Sequence, residues 1–299
     1  MKKQKFWQQA PSDILLDIGV VIFLLFIFFV TVYPFWNILV VSLNDAQDAL
    51  KGNLFFWPRI WSFASYQKIL ENKEFINSIY VTIARTAIGT PLSVLITAMA
   101  AYTVSRKEFS ANKFVNLFFI FTMYFSGGLV PYYMIIKTLG LTDNFLVYII
   151  PGAMGVYNMI LIRSYIDTIP EDLYESAKLD GANDLTIFFK IILPISKPIL
   201  MTVALFVAVS QWNSWFDAYL FTSSQSLKPM QSILVEILNQ YQTGDSQSAQ
   251  MSAAAAGASI TPDSLRMAAT IISSVPIIVL YPFVQKYFVK GMMIGAVKS

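Results

Sequence analysis

The chain contains neither cysteine nor histidine. Without cysteine there is no disulfide framework, no thiolate metal site and no thiol nucleophile. Without histidine the commonest general base, the commonest metal ligand and the usual pH switch are missing together. Charge is scarce too. Lys, Arg, Asp and Glu make up 13% of 299 residues, against 56% hydrophobic residues, whereas a soluble domain carries about 25% charged residues. With a mean hydropathy of +0.58, the composition is that of a membrane protein. No G-x-x-x-x-G-K-[ST] occurs, and no Lys follows a Gly, so no P-loop holds a nucleotide on this chain.

What is present is a series of long uncharged runs: 18–44, 86–105, 114–136, 144–162, 198–216 and 267–285. Each approaches the ~20 residues needed to cross a ~30 Å hydrocarbon core. The second is expected to begin near Ile76 and to hold Arg85 inside it. The positive start MKKQKFWQQAPSDILLD resembles a signal peptide. The apolar run behind it is too long for one, and no small-residue cleavage site follows, so it reads as a retained span. The expected fold class is all-α, a polytopic single domain over 1–299. Its spans are placed at about 16–43, 76–104, 114–138, 144–165, 197–221 and 266–286. One more uncharged run, 246–262, is small and polar and reads as a loop.

Six spans put both termini on one side. Thirteen Lys and Arg residues fall on the side of the termini, including Lys2, Arg106, Lys178 and Lys286, and six on the other. The positive-inside rule then makes the termini and the 168–195 connection cytoplasmic. It leaves outer loops at 45–75 and 222–265. Pro34, Pro91, Gly127, Gly128, Pro131, Pro151, Gly152, Pro276 and Pro282 interrupt the spans. They read either as ordinary kinks or as joints of a bundle that bends, with SGGLVP the best candidate for a true break.

Residues 171–194, EDLYESAKLDGANDLTIFFKIILP, are the polar exception. Pro170 suits a first helical position, and Glu171 and Asp172 suit a helix start. Leu173, Ser176, Ala177 and Asp180 recur at helical spacing, with Glu175 and Asp180 expected on one side. Gly181 is placed as a left-handed cap. Asn183 or Asp184 caps a second helix, whose apolar face is Ile187, Phe188, Ile191 and Ile192. Pro194 closes it. The small residues Ser176, Ala177, Gly181 and Ala182 at the bend let another backbone approach, while a simpler reading is a solvated loop.

The pattern E-S-A, three residues, Gly, nine residues, then I-x-L-P resembles the EAA loop of ABC-importer permeases. It falls on Glu175, Ser176, Ala177, Gly181, Ile191, Leu193 and Pro194, with Ser176 the one departure. Asp180-Gly181-Ala182, Lys197-Pro198 and the tail QKYFVKGMMIGAVKS resemble the carbohydrate branch, the MalG-like subunits of LplC/YtcP type. The resemblance covers essentially the whole chain. It implies a type I importer permease and not an enzyme. The loop would dock in a cleft of a separate ATPase, with Glu175 meeting an Arg there. ATP and Mg would be bound by that partner. Two ATPase copies, a homologous permease and an extracytoplasmic solute-binding protein would complete the assembly, which would import a sugar, most naturally an oligosaccharide.

For the path itself, Ser210, Asn213, Ser214 and Asp217 recur at i, i+3, i+4 and i+7, one helical face. Gln211, Trp212 and Trp215 lie beside them. Hydrogen-bonding and ring-stacking groups suit a sugar, although the same residues suit helix association and interfacial anchoring. Arg85, an intramembrane cation that requires a partner, has Asp217 as one candidate. Tyr124, Tyr132, Tyr133, Tyr157 and Asn158 are further cavity candidates. Loop 222–265 reads either as a linker or, by the resemblance, as a docking surface for the binding protein. The alternatives are an ion-coupled secondary transporter and a membrane scaffold or channel. The first needs coupling carboxylates within the spans, and the second does not require the EAA-like stretch.

Overall fold

Residues 11–240 and 260–296 are described by the structure, a computed structural model. The basic N-terminus, most of the 246–262 stretch and the side chains of the 285–299 tail lie outside the described residues. Those described are helical, and the only strand-like feature among them is an isolated bridge between Asn44 and Trp61.

The helices run in chain order as α1 (Pro11–Ser42), α2 (Ala46–Ala49), α3 (Ala64–Glu71), α4 (Lys73–Ser105), α5 (Asn112–Tyr124) and α6 (Leu129–Thr138). A 3-10 turn at Phe145–Tyr148 precedes α7 (Val156–Ile166) and α8 (Asp172–Leu179). Next come α9 (Asp184–Ile195) and α10 (Lys197–Asn213). The last are α11 (Phe216–Phe221), α12 (Met230–Gln240) and α13 (Pro262–Ala296). Two compact units divide them, Met1–Ile69 with Gln240–Ile272 and Leu70–Asn239 with Ser273–Ser299.

Among the described residues, two helices are long and apolar enough to cross a membrane, α1 over Ile14–Ser42 and α4, and two bent pairs qualify if each pair counts as one span. α1 runs through Pro34, α4 through Pro91 and α13 through Pro276 and Pro282. These four prolines therefore do not end their helices. Real breaks occur where glycine joins the sequence. α5 and α6 meet at 115° across Phe125–Gly128, with Gly128 at φ +91°, inside SGGLVP. The run expected as a helix over 144–165 is α-helical only from Val156, after turns through Pro151 and Gly152.

In the second unit α4 packs along α10 and α7. Ala98 and Ala101 of α4 are fully buried there against Met159, Ile162 and Val203. Inside lipid, close packing replaces the hydrophobic drive between helices, and small residues allow it. The same core takes in Tyr174 and Ala177 of α8 and Ile187, Phe188 and Ile192 of α9. The polar connection is therefore anchored on one face. A second core gathers Val81, Ile136, Tyr148 and Phe221.

Candidate coupling elbow and membrane polar cluster

α8 ends in a Schellman cap. Gly181 sits at φ +81°, its N–H donates to the Lys178 carbonyl at 3.0 Å, and the Ala182 N–H donates to the Ala177 carbonyl at 2.9 Å. This 5→2 and 6→1 pairing needs a left-handed residue at Gly181. A Cβ there would meet open space, so backbone conformation is what requires glycine. Asn183 then caps α9, its Oδ1 accepting from Thr186 N–H at 2.8 Å. Asp184 does not cap. Its carboxylate takes Lys178 Nζ at 2.8 Å and the Tyr174 hydroxyl at 2.9 Å, and so staples α8 to α9. The Arg106 guanidinium, just beyond α4, lies 4.7 Å from the Tyr174 ring and 5.1 Å from the Tyr102 ring. Lys107 pairs with Glu171. Lys178 holds the Asp184 carboxyl below the usual range, with Tyr174 helping. Lys107 does the same for Glu171.

Two expectations about this segment are corrected. Asp180 lies beyond the last residue of α8. Five residues turn an α-helix through about 500°, so Glu175 and Asp180 are about 140° apart and do not share a side. Pro194 also does not close its helix. Residues Phe188–Ile192 form a π-turn, in which Leu193 N–H donates to the Phe188 carbonyl, and helix continues through Leu193–Ile195. Proline lacks the N–H for the Lys190 carbonyl and crowds it, and a wider turn accommodates both effects. The chain turns by 81° only at Ser196, between α9 and α10. Glu175, Ser176 and Asp180 are each exposed. Leu179 is 88% exposed. Glu175 has no ion-pair or hydrogen-bond partner among the described residues.

The second constellation surrounds Arg85 of α4, 2% exposed. Its Nη2 donates to Asp217 Oδ2 at 2.5 Å, its Nη1 to Asp217 Oδ1 at 3.3 Å and its Nε to Gln211 Oε1 at 3.0 Å. Nη1 also reaches the Ser214 carbonyl at 3.4 Å. The guanidinium lies over the Tyr148 ring at 4.4 Å. Gln211 Nε2 donates to the Tyr148 carbonyl at 3.2 Å, and the Tyr148 hydroxyl meets Thr222 Oγ1 and the Leu227 carbonyl, both at 2.9 Å. Asp217 is thus the partner of Arg85. A charge without such partners is very costly in a membrane interior.

The single polar face over 210–217 does not form. α10 stops at Asn213, Ser214 is extended, and α11 starts at Phe216. The break frees carbonyls, and Arg85 takes one of them. The expected path residues part accordingly. Gln211 and Asp217 hold Arg85. Asn213 Nδ2 donates to the Val209 carbonyl at 3.0 Å, and its Oδ1 accepts from Gln231 at 3.2 Å. Trp212 Nε1 donates to the Ser273 carbonyl at 3.0 Å. Trp215 stays half-exposed, edge-on to Phe216 at 5.6 Å. Ser210 and Trp212 line an apolar cavity of about 760 Å³ with Thr86, Thr90, Met201 and Val209. Among the described residues, the Thr86 and Thr90 hydroxyls there have no hydrogen-bond partner.

Of the tyrosines, Tyr132 and Tyr133 pack on Phe221 at 5.6 and 5.7 Å, and Tyr124 and Tyr157 are exposed. Asn158 lies against Gly155. Arg106, Tyr148, Tyr174 and Asp184 were absent from the site residues drawn from the sequence. Their roles depend on partners that one sequence does not pair, except Asp184, which lies six residues from Lys178.

An all-α chain with a buried charge in a membrane-spanning helix and a bent, stapled, half-exposed polar elbow has the build of a membrane transport subunit. The family described as binding-protein-dependent transport system inner membrane component matches residues 2–294, and the chain belongs to it. The chain is therefore the permease component of an ABC importer, a transport subunit and not an enzyme. It is 33% identical over 287 residues to the polygalacturonan/rhamnogalacturonan transport system permease protein YtcP of Bacillus subtilis (strain 168), covering 95% of this chain and 99% of that protein. It is also 33% identical over 273 residues to the protein LplC of the same organism, covering 90% of each. Among solved structures, it superposes with a TM-score of 0.86 on a chain of a bacterial ABC transporter involved in the import of the acidic polysaccharide alginate, at 29% identity over 95% of this chain and 100% of that one. The membership rules out the ion-coupled and scaffold alternatives.

Proposed function

We propose that this permease imports an oligosaccharide, and specifically one carrying uronate groups, across a bacterial plasma membrane. The permease YtcP and the alginate transporter are both named for polymers of acidic sugars. The Arg85 cluster is consistent with an anionic cargo, since it neutralises Asp217, which would otherwise repel carboxylates. Six spans, with the excess of Lys and Arg on the side of the termini, would put both termini and the elbow on the cytoplasmic side. The partners are a homologous permease, two ATPase subunits that bind the ATP and Mg, and an extracytoplasmic binding protein. Ser210, Asn213, Trp212 and Trp215 border the path, while Gln211 and Asp217 hold its wall through Arg85.

The observation that carries the coupling role is the two-faced elbow. Tyr174 and Ala177 are buried in the permease core, while Glu175 and Leu179 are exposed, Glu175 without a hydrogen-bond or ion-pair partner among the described residues. Glu175, Ser176, Ala177, Asp180, Gly181, Ala182, Leu193 and Pro194 are proposed to shape the docking surface and its return to the membrane. In membranes of cells expressing all subunits, Glu175→Ala and Gly181→Arg are expected to insert normally, lower transport at least tenfold and leave ATP hydrolysis unresponsive to the loaded binding protein. Parental transport by Gly181→Arg would sink this reading. Uptake assays with oligouronates and neutral oligosaccharides of equal length test the cargo separately.

A further inference from the structure

The connection after α1 presents its rings outward. Phe55, Phe56, Trp57, Ile60, Trp61 and Phe63 are all exposed, Trp57 at 68%. Asn44 and Asp48 of the connection are turned inward. Asn44 accepts from the Arg59 and Ile60 N–H groups at 2.7 and 3.0 Å and donates to Asp48 Oδ2 at 3.1 Å. Arg59 donates to the Asp48 carboxylate at 2.7 Å and to the Asp48 and Gly52 carbonyls, both at 2.9 Å. Asp48 is buried, and Asp45 is occupied in capping α2. A hydrogen-bonded frame, and not packing among the rings, therefore sets this shape.

The rings also continue the surface of α1. Trp36 Nε1 donates to the Phe56 carbonyl at 2.9 Å, and Asn37 Nδ2 to the Leu54 carbonyl at 2.7 Å. Tyr33 meets Phe56 edge-on at 5.9 Å, and Trp36 meets Trp57 at 5.7 Å. α1 is exposed from Leu15 to Phe35, and no charge occurs between Ile18 and Asn44, as suits a surface facing acyl chains. At the end of such a helix, tryptophan and its neighbours meet the headgroup level, where ring and polar edge are both accommodated. Lys51, exposed, pairs with Asp48 at 3.3 Å at the edge of this frame.

We propose that residues 55–63 form a fixed aromatic foot seated at the headgroup boundary of the bilayer, with Lys51 on its watery side near lipid phosphate. The proposal rests on the membrane reading of the chain and not on which leaflet the loop meets. Because the chain has no cysteine, Trp57→Cys, Phe63→Cys and Lys51→Cys each accept one spin label. The labelled chain is assembled with cysteine-free partners and reconstituted in phosphatidylcholine–phosphatidylglycerol vesicles. Collision with oxygen and with a water-soluble nickel chelate is then measured. The oxygen-to-nickel ratio is expected to be severalfold higher at 57 and 63 than at 51. Equal ratios at all three positions would overturn the proposal. Shielding of 57 and 63 from both reagents, whether constant or on adding the binding protein, would also overturn it by revealing a protein contact. If the Trp57 variant fails to assemble, Phe55→Cys gives the same reading. An impermeant maleimide on Lys51→Cys reports the leaflet independently, so a topology error is told apart from failure of the foot.

Discussion

Around Arg85, two side chains, a backbone carbonyl and a ring converge on one guanidinium that is 2% exposed. Around Tyr174, similar groups meet where the Lys178 and Asp184 side chains are 41% and 61% exposed. The chemistry is alike, but the surroundings decide what it is worth. In the first place every donor must be matched, because neither water nor lipid will replace a lost partner. In the second, solvent screens each pair and takes over when one breaks, so the elbow is held by several weak contacts. The first arrangement suits a fixed wall, and the second a joint that is loaded and released.

The largest expected effect breaks the buried side of this comparison. Asp217→Ala leaves Arg85 without its counter-charge and is expected to cost about 3–5 kcal/mol, read as a loss of thermal stability in detergent. Arg85→Met with Asp217→Leu should recover most of it. If the single variant were as stable as the parent, the cluster would not be the constraint described here. An intermediate effect tests the joint. Gly181→Ala places a Cβ at φ +81°, a conformation that costs an L-residue about 1–2 kcal/mol. Local hydrogen exchange at the end of α8 should quicken with little change in global unfolding. Gly181→Asn should fall between Ala and Gly.

The smallest effect concerns the screened pairs. Asp184 and Glu171 have carboxyls held below their usual range by Lys178 and Lys107. A group with a lowered folded-state pKa contributes fully above its unfolded value and loses that contribution as pH falls through the folded value. Elbow amides are therefore expected to exchange at a constant corrected rate above about pH 5 and faster below about pH 4. Lys178→Met should remove most of that dependence.

Local devices were legible in the sequence. Gly181 as a left-handed cap, a cap at Asn183 or Asp184 and SGGLVP as a break depend on neighbours a few residues away, and the chain carries that information openly, the structure choosing Asn183. The polar face over 210–217 was misread because its helix stops at Ser214, where Arg85, 129 residues earlier, accommodates the exposed carbonyl. No periodicity within the segment reports that. Pro34 and Pro91 were weighed as joints, yet their helices continue, since one missing N–H does not end a helix that neighbouring packing supports. The stacking of Arg106 on Tyr174 joins elements 68 positions apart and has no local signature.

The π-turn before Pro194 carries one surplus residue. Removing any one residue from 188–192 would restore ordinary helical spacing and set the proline ring against the carbonyl one turn back. Adding one would rotate Asp184 and its cap away from Lys178. This stretch should therefore accept many changes of side chain but no change of length. Anyone splicing elbows between related subunits would do well to keep the count from Gly181 to Ser196 intact.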